Sequence, residues 1–117
     1  MDKEDLKLRT KSFAHRCVKL AVSLTNNELG NHIKKQLIRF STSVTANYRA
    51  ACHGHTRAAF IHKISIVIEE ADESEFWLEF IIDEKLKPRS LIEPLQKEAH
   101  ELASIFVKTR ITAQKNL

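Results

Sequence analysis

An all-α fold, an antiparallel up-down-up-down four-helix bundle forming a single domain over residues 1–117, is predicted by three observations. The chain contains only two Gly and two Pro in 117 residues, too little punctuation for many short elements. Apolar residues recur at alternating steps of four and three in four separate stretches, which is helical period. The stretches are joined by short polar turns, and long amphipathic helices joined in that way alternate in direction.

The longest stretch, residues 56–84 (TRAAFIHKISIVIEEADESEFWLEFIIDE), organises the rest. Phe60, Ile64, Val67, Ala71, Ser74, Leu78 and Ile81 follow each other at steps of four and three, an unbroken seam that other helices must cover. Beside that seam stand Ile66, Trp77 and Phe80, with Phe76 also apolar. A helix apolar on more than one face has more than one partner, so Ile66, Trp77 and Phe80 are a candidate subunit interface.

The first helix is expected to start at Asp5 or Thr10 and to end at Leu24, with Phe13, Cys17, Leu20 and Leu24 as its stripe and Val18, Ala21 and Val22 widening it. Cys17 reads as a small core residue. Asn26 or Asn27 can cap the second helix, with Glu28 suited to its positive end. That helix runs to about Cys52 along Ile33, Leu37, Phe40, Val44, Asn47 or Tyr48, and Ala51. Its interior, Ser41, Thr42, Ser43, Thr45 and Ala46, is poor in strong helix formers, so packing must hold it helical. Small residues also admit a close neighbour, which places this helix centrally.

Gly54 is expected to stop the second helix in a left-handed conformation, with Thr56 as the next N-cap. The fourth helix begins with Pro88, Ser90 and Glu93, through a proline in the first turn or a capping box. Its seam is Leu91 or Ile92, Leu95, Ala99, Leu102, Phe106 and Thr109. Pro94 falls inside that pattern, so an irregular segment is expected before it and the regular helix after it.

The bulk properties are those of an ordinary globular domain, 43% apolar and 29% charged, large enough to fold without staples. No apolar run is long enough to span a bilayer, and MDKEDLKLRTK at the start lacks the core of a signal peptide. Cys17 and Cys52 suit a reducing compartment. The expectation is a cytoplasmic protein without a membrane partner.

Charge is segregated. Residues 1–55 carry ten Lys/Arg against four Asp/Glu, residues 56–85 three against eight, and residues 86–117 six against three, within a net charge of +4. An acidic helix among basic ones can be satisfied inside one molecule, between copies, or by leaving a basic face to a polyanion. Lys34, Lys35, Arg39, Arg49, Arg57 and Lys63 are the candidate nucleic-acid-binding residues.

No catalytic constellation is present: there is no glycine-rich phosphate loop, no paired-cysteine motif and no His-Glu-x-x-His. The run Cys52, His53, Gly54, His55, with His62 beyond, lacks the second pair of ligands of a closed zinc site and reads as a turn. Glu70, Glu73 and Trp77 share one side, but the Glu-x-x-His motifs of a di-iron bundle are missing. No enzyme activity, metal, cofactor or small-molecule substrate is expected.

Residues 36–51 (QLIRFSTSVTANYRAA), then 59–63 (AFIHK) and 69–79 (EEADESEFWLE), resemble the bacterial four-helix bundle family of 23S rRNA-intervening sequence proteins, and the likeness extends over nearly the whole chain. The resemblance implies a ring-shaped homopentamer and a relation to the accessory proteins of diversity-generating retroelements, which work with a reverse transcriptase and its RNA. It also implies a structural polar contact between the second and third helices through Arg39, Asn47, Glu70 and Glu73. The expected function is therefore a self-associating, pentameric interaction scaffold. The alternative is a structured-RNA binder, or a partner of a nucleic-acid-binding protein, acting through the basic face.

Overall fold

The computed structural model describes residues 1–116, which contain four helices: α1 (Lys3–Val22), α2 (Glu28–Cys52), α3 (Arg57–Asp83) and α4 (Arg89–Lys115). Consecutive helices pack side by side, α4 returns to α1, and the diagonal pairs are held apart. This is the up-down-up-down bundle, 47 × 21 × 20 Å. Its long axis is set by α3 and α4, 27 residues each, or about 40 Å at the helical rise.

Local chemistry starts the helices. The Asp2 carboxylate accepts from the Asp5 N–H at 2.8 Å while the Asp5 side chain accepts from the Asp2 N–H at 3.2 Å. This reciprocal cap starts α1 earlier than the apolar stripe alone suggests. Asn27 accepts from Gly30 N–H at 2.8 Å and Thr56 from Ala59 N–H at 3.0 Å, so both expected caps form. A Cβ on Gly30 would run into the Thr25 carbonyl oxygen, so glycine allows the turn before α2 to fold tightly onto the helix.

Two local expectations are corrected. Gly54 is not left-handed: α2 closes through His53, whose N–H bonds to Ala50 O at 3.1 Å, and among the described residues the one with positive φ is Lys85, at 55°. There the Leu86 N–H reaches Ile81 O and the Lys85 N–H reaches Ile82 O, each at 3.0 Å, the paired closure that ends α3. Glycine is the usual occupant of that position, and lysine takes it here at a steric cost. Second, α4 is regular from Arg89 and continues through Pro94. Of the two starts expected for α4, the proline one forms: the helix begins at Pro88 without a side-chain cap, and a tight turn from Leu91 N–H to Pro88 O (3.0 Å) takes the place of the capping box.

The core is the set of seams meeting along the axis. Phe13, Cys17, Ile33, Leu37, Ile64, Val67, Leu78, Ile81, Ile92, Leu102 and Phe106 are fully buried, each contributing on the order of 1.5–3 kcal/mol for a large side chain. Tyr48 of α2 meets Phe106 of α4 across the bundle, with ring centroids 5.0 Å apart. Burial pushes the Cys17 thiol up to about 12, so it stays a protonated apolar filler. In α2 the seam passes through Ser41, fully buried, while Phe40 is half-buried. Thr10, Ser41 and Ser74 are the buried polar residues, and each hydroxyl donates to a carbonyl one turn back in its own helix, so no hydrogen-bonding group there is lost. Among the described residues no helix is long and apolar enough to cross a membrane.

Of the neighbouring pairs α1 and α4 touch least, and an ion-pair cluster holds them. Arg9 donates from Nε and Nη2 to the two oxygens of Glu98, both at 2.8 Å, and Nη2 lies 2.7 Å from Glu101. The hydrogen bonds from Arg9 pull the Glu98 carboxyl below its usual range, and this geometry is the bidentate one that makes such pairs strong.

Two predictions follow from these contacts. Lys85→Gly relieves the left-handed strain and raises stability by about 0.5 to 1 kcal/mol in urea unfolding. Because the folded pKa of Glu98 is lowered, its contribution is full above the unfolded value near ~4.3 and is lost as pH falls through the folded value. Arg9→Met therefore destabilises by about 1 kcal/mol or more at pH 7, and its deficit against the wild-type chain narrows as pH falls below the unfolded carboxylate value in the same assay.

Candidate interaction surface on helices α2 and α3

Helix α3 carries a second strip at the spacing of its core seam. Ile66, Glu70, Glu73, Trp77 and Phe80 succeed one another at steps of four and three, turned toward α2. Antiparallel packing sets what faces them. The His32 ring of α2 meets Trp77 edge-on with centroids 5.4 Å apart. One heptad further along α2 and one heptad back along α3, the charge of Arg39 acts on Glu70.

Trp77 anchors an aromatic cluster. Its ring lies 5.0 Å from Phe76 and 5.8 Å from Phe80, and Phe76 and Phe80 are 6.0 Å apart. Trp77 and Phe80 are half-buried, whereas Phe76 is 49% exposed. Asp72, Glu73, Glu79 and Asp83 flank the cluster and are exposed. The outer side of α3 is thus an aromatic ridge edged with carboxylates.

Two polar atoms on this strip are buried without a hydrogen-bond partner: the Trp77 indole nitrogen and Glu70 Oε2. Burial raises the Glu70 pKa, while Arg39 lowers it and Glu69 and Glu73 raise it further. Unpaired buried groups cost free energy and are uncommon in native proteins.

The structure brings Trp77 and Phe80 of the predicted interface together, with Ile66, also half-buried, three turns nearer the N-terminus. Phe76 is the most exposed member of the cluster. It lies off the heptad strip, so periodicity gave it no role beyond being apolar, and His32 had no sequence signal at all.

The direct polar contact expected of Arg39, Asn47, Glu70 and Glu73 is not formed. The Asn47 amide donates to Ser43 O of its own helix at 3.1 Å, and the Arg39 guanidinium lies 5.2 Å from the Phe40 ring centroid. Among the described residues no ion pair within 4.0 Å joins Arg39 to Glu70 or Glu73. Arg39 is an outward residue of α2 and reaches Glu70 only through its field.

The six candidate nucleic-acid-binding cations are spread out. Lys34, Lys35, Arg39 and Arg49 run along α2, and Arg57 and Lys63 stand at the start of α3; Lys34 and Lys63 are half-buried and the other four exposed. None of the six is in an ion pair among the described residues. Cys52, His53, His55 and His62 do not converge, and among the described residues no three His, Cys, Asp or Glu side chains could hold a metal. An open shelf of about 1020 Å³ beside α4 is lined by Glu75, Glu93, Pro94 and His100. His100 lies 3.5 Å from Glu75 there and is 75% exposed, so solvent screens the pair.

The architecture and the sequence agree with known proteins. The family model of the 23S rRNA-intervening sequence protein matches residues 4–108. A crystal structure from Bacteroides thetaiotaomicron VPI-5482, described as a protein with unknown function from the S23 ribosomal protein family, superposes with a TM-score of 0.84 at 32% identity, covering 90% of this chain and 97% of that one. No curated protein matches the chain. Neither likeness points to an enzymatic family. With the match running from the first turn of α1 into the last turns of α4, the chain belongs to the 23S rRNA-intervening sequence protein family.

Proposed function

We propose that this protein is a non-enzymatic, self-associating four-helix bundle that works as a homo-oligomeric interaction scaffold, joined through the outer face of α2 and α3. The observation that carries this reading is the α3 strip itself: an exposed Phe76 over half-buried Trp77 and Phe80, with the Trp77 N–H and Glu70 Oε2 buried and unpartnered. Within one chain α2 covers only the near edge of that strip, through His32 against Trp77, and a facing protein surface would cover Phe76 and the open edges of Trp77 and Phe80. A ring of five is the assembly that the family resemblance favours.

A second reading has its own support. The unpaired cations along α2 form a row that a polyanion could follow, and assembly would multiply a modest patch. On this reading the protein binds structured RNA, and its affinity falls steeply with salt; no binding at about 50 mM salt removes it.

Light scattering behind a sizing column tests the first reading at micromolar concentration. A mass of about five times the 13.5 kDa chain is expected, and a single-chain mass overturns it. Phe76→Glu, at an exposed position, should leave the helical spectrum intact and weaken assembly at least ~30-fold.

A further inference from the structure

The segregated charge is not neutralised inside the bundle. The ion pairs among the described residues join Arg9 to Glu98 and Glu101, Lys7 to Glu4, and His100 to Glu75. None joins a carboxylate of α3 to a cation of α1 or α2, although residues 1–55 carry the excess of Lys/Arg and residues 56–85 the excess of Asp/Glu. Among the described residues Asp72, Glu73, Glu79 and Asp83 of α3 have no ion pair, and neither do Lys11 of α1 and Arg49 of α2.

On the basic side the structure has a groove. Between α1 and α2 lies a depression of about 420 Å³, lined by Lys7, Leu8, Lys11, Thr45, Ala46 and Arg49, with Glu4 at its edge. Glu4 is already paired with Lys7 at 3.1 Å, whereas Lys11 and Arg49 have no carboxylate within 4.0 Å among the described residues. Its floor is made of small residues because Thr10 of α1 and Thr45 of α2 approach to 3.3 Å. Leu8 is 69% exposed at its mouth, and Val22, 60% exposed, stands two heptads along the same face of α1. A groove with an apolar lip and free cations complements a ridge with an aromatic crest and free carboxylates in shape, polarity and charge.

We infer that the groove between α1 and α2 receives the Phe76 ridge of α3 from a second copy of this chain. This inference rests on the self-association reading and names the surface that the α3 strip would meet. Pairing two α3 ridges across a two-fold axis would oppose Asp72, Glu73, Glu79 and Asp83 with themselves, which like-charge repulsion disfavours. Ridge into groove opposes carboxylates with Lys11 and Arg49 instead. The contact is head-to-tail, so every copy offers one ridge and one groove. The two surfaces lie on neighbouring sides of the bundle, with α2 at their shared corner. A head-to-tail contact of this kind builds a ring where its rotation closes.

The experiment uses two variants of the full chain, each altered at exposed positions so that the bundle stays folded, as checked by circular dichroism. Leu8→Glu with Lys11→Glu blocks the groove and keeps the ridge; Phe76→Glu blocks the ridge and keeps the groove. The expected result by light scattering is that each variant alone runs at the single-chain mass. Mixed in equal amounts they give a two-chain species and nothing larger, because one ridge and one groove remain competent. A groove variant that assembles like the wild-type chain overturns the inference while leaving self-association standing. A mixture that stays at the single-chain mass also overturns it. A wild-type chain that is itself a single copy overturns both readings.

Discussion

The seam of α3 formed by Ile64, Val67, Ala71, Ser74, Leu78 and Ile81, every residue of it fully buried, is the constraint around which the bundle is arranged. A strip of that length cannot be hidden by one short neighbour, because burial is proportional to the apolar area removed from water along the whole strip. Helices α2 and α4 cover it from either side, and α1 closes the core over the pair. Small buried residues let this happen at close range: Ser41, Ser74, Ala71 and Ala99 take up little room, and each buried hydroxyl is satisfied within its own helix. The helices can therefore approach without leaving polar groups stranded in the core.

The outer strip of α3 has the opposite character. Its polar atoms are not satisfied, since the Trp77 N–H and Glu70 Oε2 have no partner. The same heptad spacing that builds the core is repeated beside it, where α2 reaches only the near edge, through His32 against Trp77, and leaves Phe76 open. The inner seam is satisfied within the single chain, whereas the outer strip combines two buried unpartnered atoms with the exposed Phe76. The weak α1–α4 contact, held by Arg9, Glu98 and Glu101, shows where the single chain itself is most easily opened.

Much of the fold was legible before the structure. Helix number, the α3 seam, the Asn27 and Thr56 caps and the core role of Cys17 all follow from local period and capping chemistry, which act within a few residues. The misses have equally physical causes. Pro94 read as a break because proline removes one hydrogen bond, yet packing of Ile92 and Leu95 into the core carries the helix through it. Gly54 read as the left-handed stop, whereas the helix that needed one ended at Lys85, where no composition signal existed. Ser41 took the core position assigned to Phe40, because a small residue fits the close approach of α1 to α2 that the Thr10 and Thr45 pair marks.

For the candidate site the division is sharper. Period alone determined that α3 has two apolar strips, that Ile66, Trp77 and Phe80 lie on the second, and that charge is unevenly distributed, since each is a property of spacing along one chain. Only the tertiary structure decided that Phe76 is the exposed crest, that His32 stands against Trp77, that Arg39 does not bond Glu70, and that among the described residues no Lys or Arg lies within 4.0 Å of an α3 carboxylate. These depend on the relative rotation of packed helices, which turns side chains toward or away from one another. A helix's own sequence carries its faces, and its neighbours determine which of those faces remain open.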